Sequence, residues 1–216
     1  MMLHAMAELV GLHPRLPETA VDERGLWGSA VRGDRDALSA LLRRHAKGIH
    51  ALAFHVCGPD DARDAAQESL ERVVRSVAQF DPARGDFRTW ALAVARNVCR
   101  DRLRRRGLER AAFLDDGDEA AARAPASAPD PEHLVLARAR AREVLEALAG
   151  LPEGQRSALV LFHVHEASYE QIAQTLNVPI GTVMTWIFRG RRRLRDAMEV
   201  RAREGSSAAA EEREKT

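Results

Sequence analysis

Leu38, Leu41, Leu42, His45, Ile49, Leu52, Ala53 and Val56 recur three and four residues apart. That spacing lines one face of a long α-helix. Asp34, after Gly33, is placed to cap its N-terminus, and Gly58-Pro59-Asp60 ends it. A second helix carries Ala62, Ala65, Ala66, Ser69, Leu70, Val73 and Val77 on its inner side, with Asp64, Gln67, Glu68 and Glu71 on the other. The turn-forming run Phe80-Asp81-Pro82-Ala83-Arg84-Gly85-Asp86 follows. A third helix starts near Phe87, with Trp90, Ala91, Val94, Ala95 and Val98 facing inward and Arg96, Arg100 and Arg104 on another face. Three apolar stripes with short connections predict a helical bundle over residues 26–106. Residues 1–25 lack periodicity, contain Pro14 and Pro17, and predict a loose extension.

The periodicity stops at Gly107, and an Ala-, Asp-, Glu-, Ser- and Pro-rich stretch predicts a flexible acidic linker over 107–133. Asp130-Pro131-Glu132 restarts helix in the order cap, Pro, acid. Ala141, Val144, Leu145 and Leu148 continue it, Gly150-Leu151-Pro152 ends it, and Gln155 to Val164 forms the next helix. Ser168 and Gln171 make a capping box for a short helix, Tyr169 to Leu176, with Ile172, Ala173 and Leu176 inward. Asn177-Val178-Pro179 turns the chain into a longer basic helix from Ile180, with Val183, Ile187 and Leu194 inward. Short helix, tight turn and longer helix is the helix-turn-helix layout. Its outer face offers Thr182, Thr185, Arg189 and Arg192, hydroxyls and guanidiniums that reach base edges and phosphates. Met184 and Trp186 are expected on its exposed rim. Residues 201–216 read as a polar, frayed tail.

Charge and composition narrow the picture. The net charge is only +1 in 216 residues, yet seven Arg lie between Arg96 and Arg110 and seven more between Arg189 and Arg203. Asp115, Asp116, Asp118, Glu119, Asp130 and Glu132 lie between the blocks. Two basic blocks around an acidic one suggest two contacts with a polyanion; two solvated helix faces are the plainer alternative. Aromatics are 5%, which favours an all-α chain over a sheet protein. Two cysteines, Cys57 and Cys99, give neither a disulfide framework nor a zinc ribbon. The apolar runs are too short to span a bilayer, and no secretory signal stands out, so a soluble, cytoplasmic chain without membrane insertion is expected. His163 and His165 diverge on their helix, and no carboxylate pair, phosphate loop or nucleophile–His pattern stands out. No enzyme, cofactor, metal site or small-molecule substrate is expected.

Several phrases resemble a bacterial RNA polymerase sigma factor of the extracytoplasmic-function (ECF) type. GDRDAL at Gly33 to Leu38, ARDAAQESLERV at Ala62 to Val73, FDPARGDFRTWALAVARN at Phe80 to Asn97 and DRLRRR at Asp101 to Arg106 are similar to sigma region 2. LPEGQR at Leu151 to Arg156, SYEQIAQTLNVPIGTV at Ser168 to Val183 and RGRRRLR at Arg189 to Arg195 are similar to region 4. The resemblance implies two small helical domains, 26–106 and 134–200. It implies docking on core RNA polymerase (its β′ and β subunits) through Asp64, Gln67, Glu68 and Glu71. It implies minus-ten promoter recognition and melting through Arg84, Arg88, Trp90, Arg96, Asn97, Arg100 and Arg104, with Trp90 read first as core. It implies minus-thirty-five recognition through Thr182, Thr185, Trp186, Arg189 and Arg192. An anti-sigma factor is a further implied partner.

The sequence departs from the family after GTV, where Met184, Trp186 and Phe188 replace a more basic run. Altered base preference, apolar contact with thymine methyls or packing against a protein inhibitor would each account for it. The competing reading is a helix-turn-helix regulator that binds duplex DNA without polymerase. The DFRTW, ARN and DRLRRR phrases are superfluous for such a protein.

Overall fold

The structure, a computed structural model, describes residues 23–113 and 132–214. All elements among the described residues are helical: α1 (Glu23–Val31), α2 (Arg35–Cys57), α3 (Pro59–Ser76), a 3-10 turn (Val77–Gln79), α4 (Phe87–Phe113), α5 (Glu132–Ala149), α6 (Glu153–His163), α7 (Tyr169–Leu176) and α8 (Ile180–Glu214). The all-α expectation and the pairing of two helical domains hold.

In the first domain Asp34 Oδ1 accepts from the N–H groups of Asp36 and Ala37 at 2.9 and 3.0 Å, the cap read from sequence. Leu41, Ile49, Leu52 and Val56 are buried on the inner face of α2, while Leu38 and Leu42 are half-buried. Gly58 has a positive φ and its N–H closes on Phe54 O, so α2 stops and Pro59 opens α3. The buried face of α3 is small, with Ala62, Ala65, Ala66 and Ser69, which lets α3 lie close to α2. The Ser69 hydroxyl is satisfied by donating to Ala65 O at 2.6 Å. Trp27 of α1, Phe80, Phe87 and Trp90 form a ring cluster with neighbouring centroids 5.3–5.6 Å apart.

In the second domain the capping box of Ser168 and Gln171 is formed. Asn177 adopts the left-handed conformation, φ 53°, that a sharp turn between two helices needs. Val183, Ile187 and Leu194 are buried along α8. At Gly190 an added Cβ would lie 3.0 Å from Leu159, so a glycine permits the close crossing of α8 and α6.

Three helix limits differ from those read in the sequence. α1 begins at Glu23 rather than Leu26, α4 continues to Phe113 past Gly107, and α8 continues to Glu214 past Arg201. Apolar periodicity marks a buried face; Ala, Arg and Glu sustain helix without one. Most of the expected extension and linker lies outside the described residues.

The two domains are packed together. α5 and α6 lie against α2, and α7 lies against α4. Buried apolar residues of both halves form one continuous core, from Ala30 to Leu194.

Candidate nucleic-acid and polymerase interfaces

On α3, Asp64, Gln67 and Glu71 are exposed. Gln67 donates to Glu71 at 3.3 Å, and Glu71 also accepts from Arg75 at 3.1 Å. Glu68 is different. Its carboxylate accepts from Arg72 of its own helix and Arg102 of α4, both at 2.9 Å, and lies 3.9 Å from Arg105. Glu68 therefore joins α3 to α4, whereas its three neighbours form an open polar stripe.

The residues read as minus-ten contacts divide in the same way. Arg84, Asn97, Arg100 and Arg104 are exposed, the last two one turn apart on α4. Trp90 is half-buried in the aromatic cluster, as expected of a core residue first. Arg96 starts the same basic row but is 8% exposed. Its Nε and Nη2 both donate at 3.0 Å to the carboxylate of Glu153, in the first turn of α6, a bidentate ion pair between domains. Ser157 Oγ donates to the same carboxylate at 2.9 Å.

Further contacts surround that pair. Arg88 donates to His165 O at 2.7 Å, and Gln171 donates to Asp86 at 3.3 Å. Arg156 is buried and donates to Val56 O at 2.6 Å, Ala149 O at 3.0 Å and Leu151 O at 3.1 Å. Its guanidinium thus closes the C-terminal ends of α2 and α5 at once, where free carbonyls collect negative charge. His165 sits over Gly48 of α2, where an added Cβ would lie 3.7 Å from its Cε1. Burial, helped by Arg88 and His55, pushes the His165 pKa down to about 3; burial pushes His55 down to about 4. Both rings are held neutral at the boundary of the two domains.

On α8, Thr185, Arg189 and Arg192 are exposed and Thr182 is half-buried. The Thr185 hydroxyl donates back to Gly181 O at 2.9 Å, leaving its lone pairs outward. Arg192 lies 4.0 Å from Asp196, an open surface pair. Met184 is 55% exposed, as expected, and Phe188 is 70% exposed. Trp186 departs from the rim position expected of it. It is half-buried, and its ring lies on Gly154 of α6 so closely that an added Cβ there would fall 2.7 Å from Cη2. Ile180, Met184 and Phe188, four residues apart, make an exposed apolar stripe beside Thr185 and Arg189.

Glu153 and Arg156, which tie the two domains together, are not singled out by the sequence reading. Their only signal is the LPEGQR phrase at the head of a helix. Among the described residues, no group of three or more His, Cys, Asp or Glu is arranged to hold a metal ion, and no helix is long and apolar enough to cross a membrane. Cys57 and Cys99 are both buried free thiols.

Comparison with known proteins gives the arrangement its family. The models of Sigma-70 region 2 and Sigma-70 region 4 match residues 41–109 and 141–194. The ECF RNA polymerase sigma factor SigE of Mycolicibacterium smegmatis is 36% identical over 189 residues, covering 84% of this chain and 72% of SigE. SigW of Bacillus subtilis is 30% identical over 171 residues, covering 76% and 90%. Among solved structures, CnrH in complex with the cytosolic domain of CnrY matches with TM-score 0.60 and 22% identity over 82% of this chain and 97% of that one. RpoE in complex with the anti-sigma factor NepR from Bartonella quintana matches with TM-score 0.59 and 24% identity over 75% and 96%. At those identities the structures speak for the fold. With both region matches in order along one chain and relatives of this similarity across most of its length, the chain belongs to the ECF sigma factors of bacterial RNA polymerase.

Proposed function

We propose that the chain binds core RNA polymerase through the open stripe of Asp64, Gln67 and Glu71 on α3 and directs it to promoters. Arg84, Asn97, Arg100 and Arg104, with Arg88 and Arg96, take the minus-ten element, and the outer face of α8 takes the minus-thirty-five element. What carries the reading is the occurrence of two separate basic helix faces, one in each sigma-70 region. Opened bases need cations and ring platforms, and α4 carries the cations. Duplex readout needs a helix that enters the major groove with polar side chains outward; α8 carries Thr182, Thr185, Arg189 and Arg192. Trp186, packed on Gly154, acts here as a strut for α8 rather than a base contact. A stand-alone helix-turn-helix regulator is not favoured, because region 2 would have no part in it.

Anti-sigma control is part of the proposal. RpoE of Bartonella quintana was solved with its anti-sigma factor. The exposed stripe of Ile180, Met184 and Phe188 is the surface of this chain that such an inhibitor would cover.

The test is transcription in vitro from a promoter library with core polymerase. Defined transcripts are expected only when core and chain are both present. The double substitution Gln67→Ala and Glu71→Lys should abolish them while helicity is retained. Sequence-specific footprints by the chain alone, equal to those with core, would overturn the reading. Glu68 is left untouched, because its loss disturbs the α3–α4 joint.

A further inference from the structure

We propose that Cys57 and Cys99 are a peroxide-reactive thiol pair, a modification site inside the first domain where oxidation closes a disulfide between the end of α2 and the middle of α4. The pair includes no residue assigned to promoter or polymerase contact, so it stands independently of the proposed function. α2 and α4 pack against each other. One turn before each cysteine stands a fully buried alanine, Ala53 on α2 and Ala95 on α4. Side chains that small let two helix backbones come close, and a disulfide needs α-carbons about 4.4–6.8 Å apart. Here the approach brings the two thiols within hydrogen-bonding reach, the Cys99 S–H donating to the Cys57 sulfur. Both thiols are free.

The two sulfurs have different surroundings. Cys57 is the last residue of α2, just before the positive-φ Gly58, and is 8% exposed, whereas Cys99 is 0% exposed. The bond from Cys99 holds the Cys57 pKa below its ordinary value, against the opposing effect of burial. Arg102 and Arg156 add positive charge there, and Asp61 opposes them. The bond to Cys57 and burial push the Cys99 thiol up, and Glu153 adds to the effect. Cys57 is therefore the sulfur that ionises and meets a small oxidant first. Its thiolate attacks one oxygen of hydrogen peroxide and the O–O bond breaks. Cys57 becomes a sulfenic acid, and the departing hydroxide takes a proton from solvent to leave as water. Cys99 then attacks the Cys57 sulfur and the S–O bond breaks. The Cys99 proton goes to the second departing hydroxide. One peroxide is reduced to two waters, and two thiols are oxidised to one disulfide. The loop so closed contains all of α3 and the turn-rich segment before α4. Closing a long loop restricts the unfolded chain, so the bridged form is the more stable one.

The test treats the full chain, folded and reduced, with hydrogen peroxide. Intact mass should show the loss of two hydrogens, and peptide mapping should place the bridge between Cys57 and Cys99. The melting temperature should rise by about 5 °C or more and return to its starting value on addition of dithiothreitol. Two variants then separate the roles of the sulfurs. In Cys99→Ser, which lacks the second sulfur, dimedone should trap a sulfenic acid at Cys57. In Cys57→Ser, Cys99 should stay unmodified under the same treatment. The mapping on the unsubstituted chain decides the matter even if a variant folds poorly. Thiols that stay free in the folded chain, or bridges between molecules instead of within one, would overturn the proposal. So would a bridged chain that melts no higher than the reduced one, or a sulfenic acid that forms first on Cys99.

Discussion

Single residues decide how the second domain is built. Gly154 and Trp186 are one such pair, because the indole lies where a β-carbon would stand. Gly154→Ala should destabilise the chain by about 1–3 kcal/mol, the usual effect of overfilling a packed contact, measured by urea unfolding. Trp186→Ala on the Gly154→Ala background should cost less than it does alone, since the two positions share one contact. Sequence reading put Trp186 on the rim because it sees only the period of α8. The surface that covers Trp186 belongs to another helix, 32 positions earlier. The pairings of Glu68 and Arg96 with other elements were illegible for the same reason. Their spacing marks a polar face correctly, but Arg102 and Glu153, which engage them, come from other elements.

At the scale of elements the sequence is much more readable. The cap at Asp34, the break at Gly58, the capping box at Ser168 and the turn at Asn177 are all local chemistry, and each forms where its residues stand. Helix ends without such signals were harder, as α4 and α8 show. The outer face of α8 carries a prediction of its own kind. Arg189 and Arg192 are exposed cations with no deep intramolecular anchor, so they should act through phosphates. In holoenzyme bound to an upstream duplex, Arg189→Ala or Arg192→Ala should each lower the slope of log affinity against log salt by about one. Base preference should stay the same, as read by selection from a randomised upstream element. Changes of preference belong to Met184 instead, which is exposed on the same helix and not committed to packing.

For the whole molecule, the two buried histidines set a pH dependence. His55 and His165 are neutral in the packed chain, with pKa values lowered to about 4 and about 3. Released into water each regains an ordinary value near 6.5, so the unfolded chain binds more protons. Their contribution to stability is complete above about pH 6.5 and is lost progressively as pH falls toward 4 and 3. For His165 the neighbours opposing protonation are Arg88 and His55. The melting temperature should therefore drop between pH 6.5 and 4, and His165→Gln should flatten that drop. An unchanged slope in the variant would show that the carboxylates alone produce it. Neither the relation between the domains nor this dependence was legible from sequence, because both arise where distant stretches meet.

The shared core has a calorimetric consequence. Leu41 and Phe87 on one side and Leu151, Leu161 and Ile172 on the other belong to a single buried cluster, so heating cannot melt one half while its partner keeps an intact hydrophobic interior. The free chain should give one endotherm whose van't Hoff and calorimetric enthalpies agree.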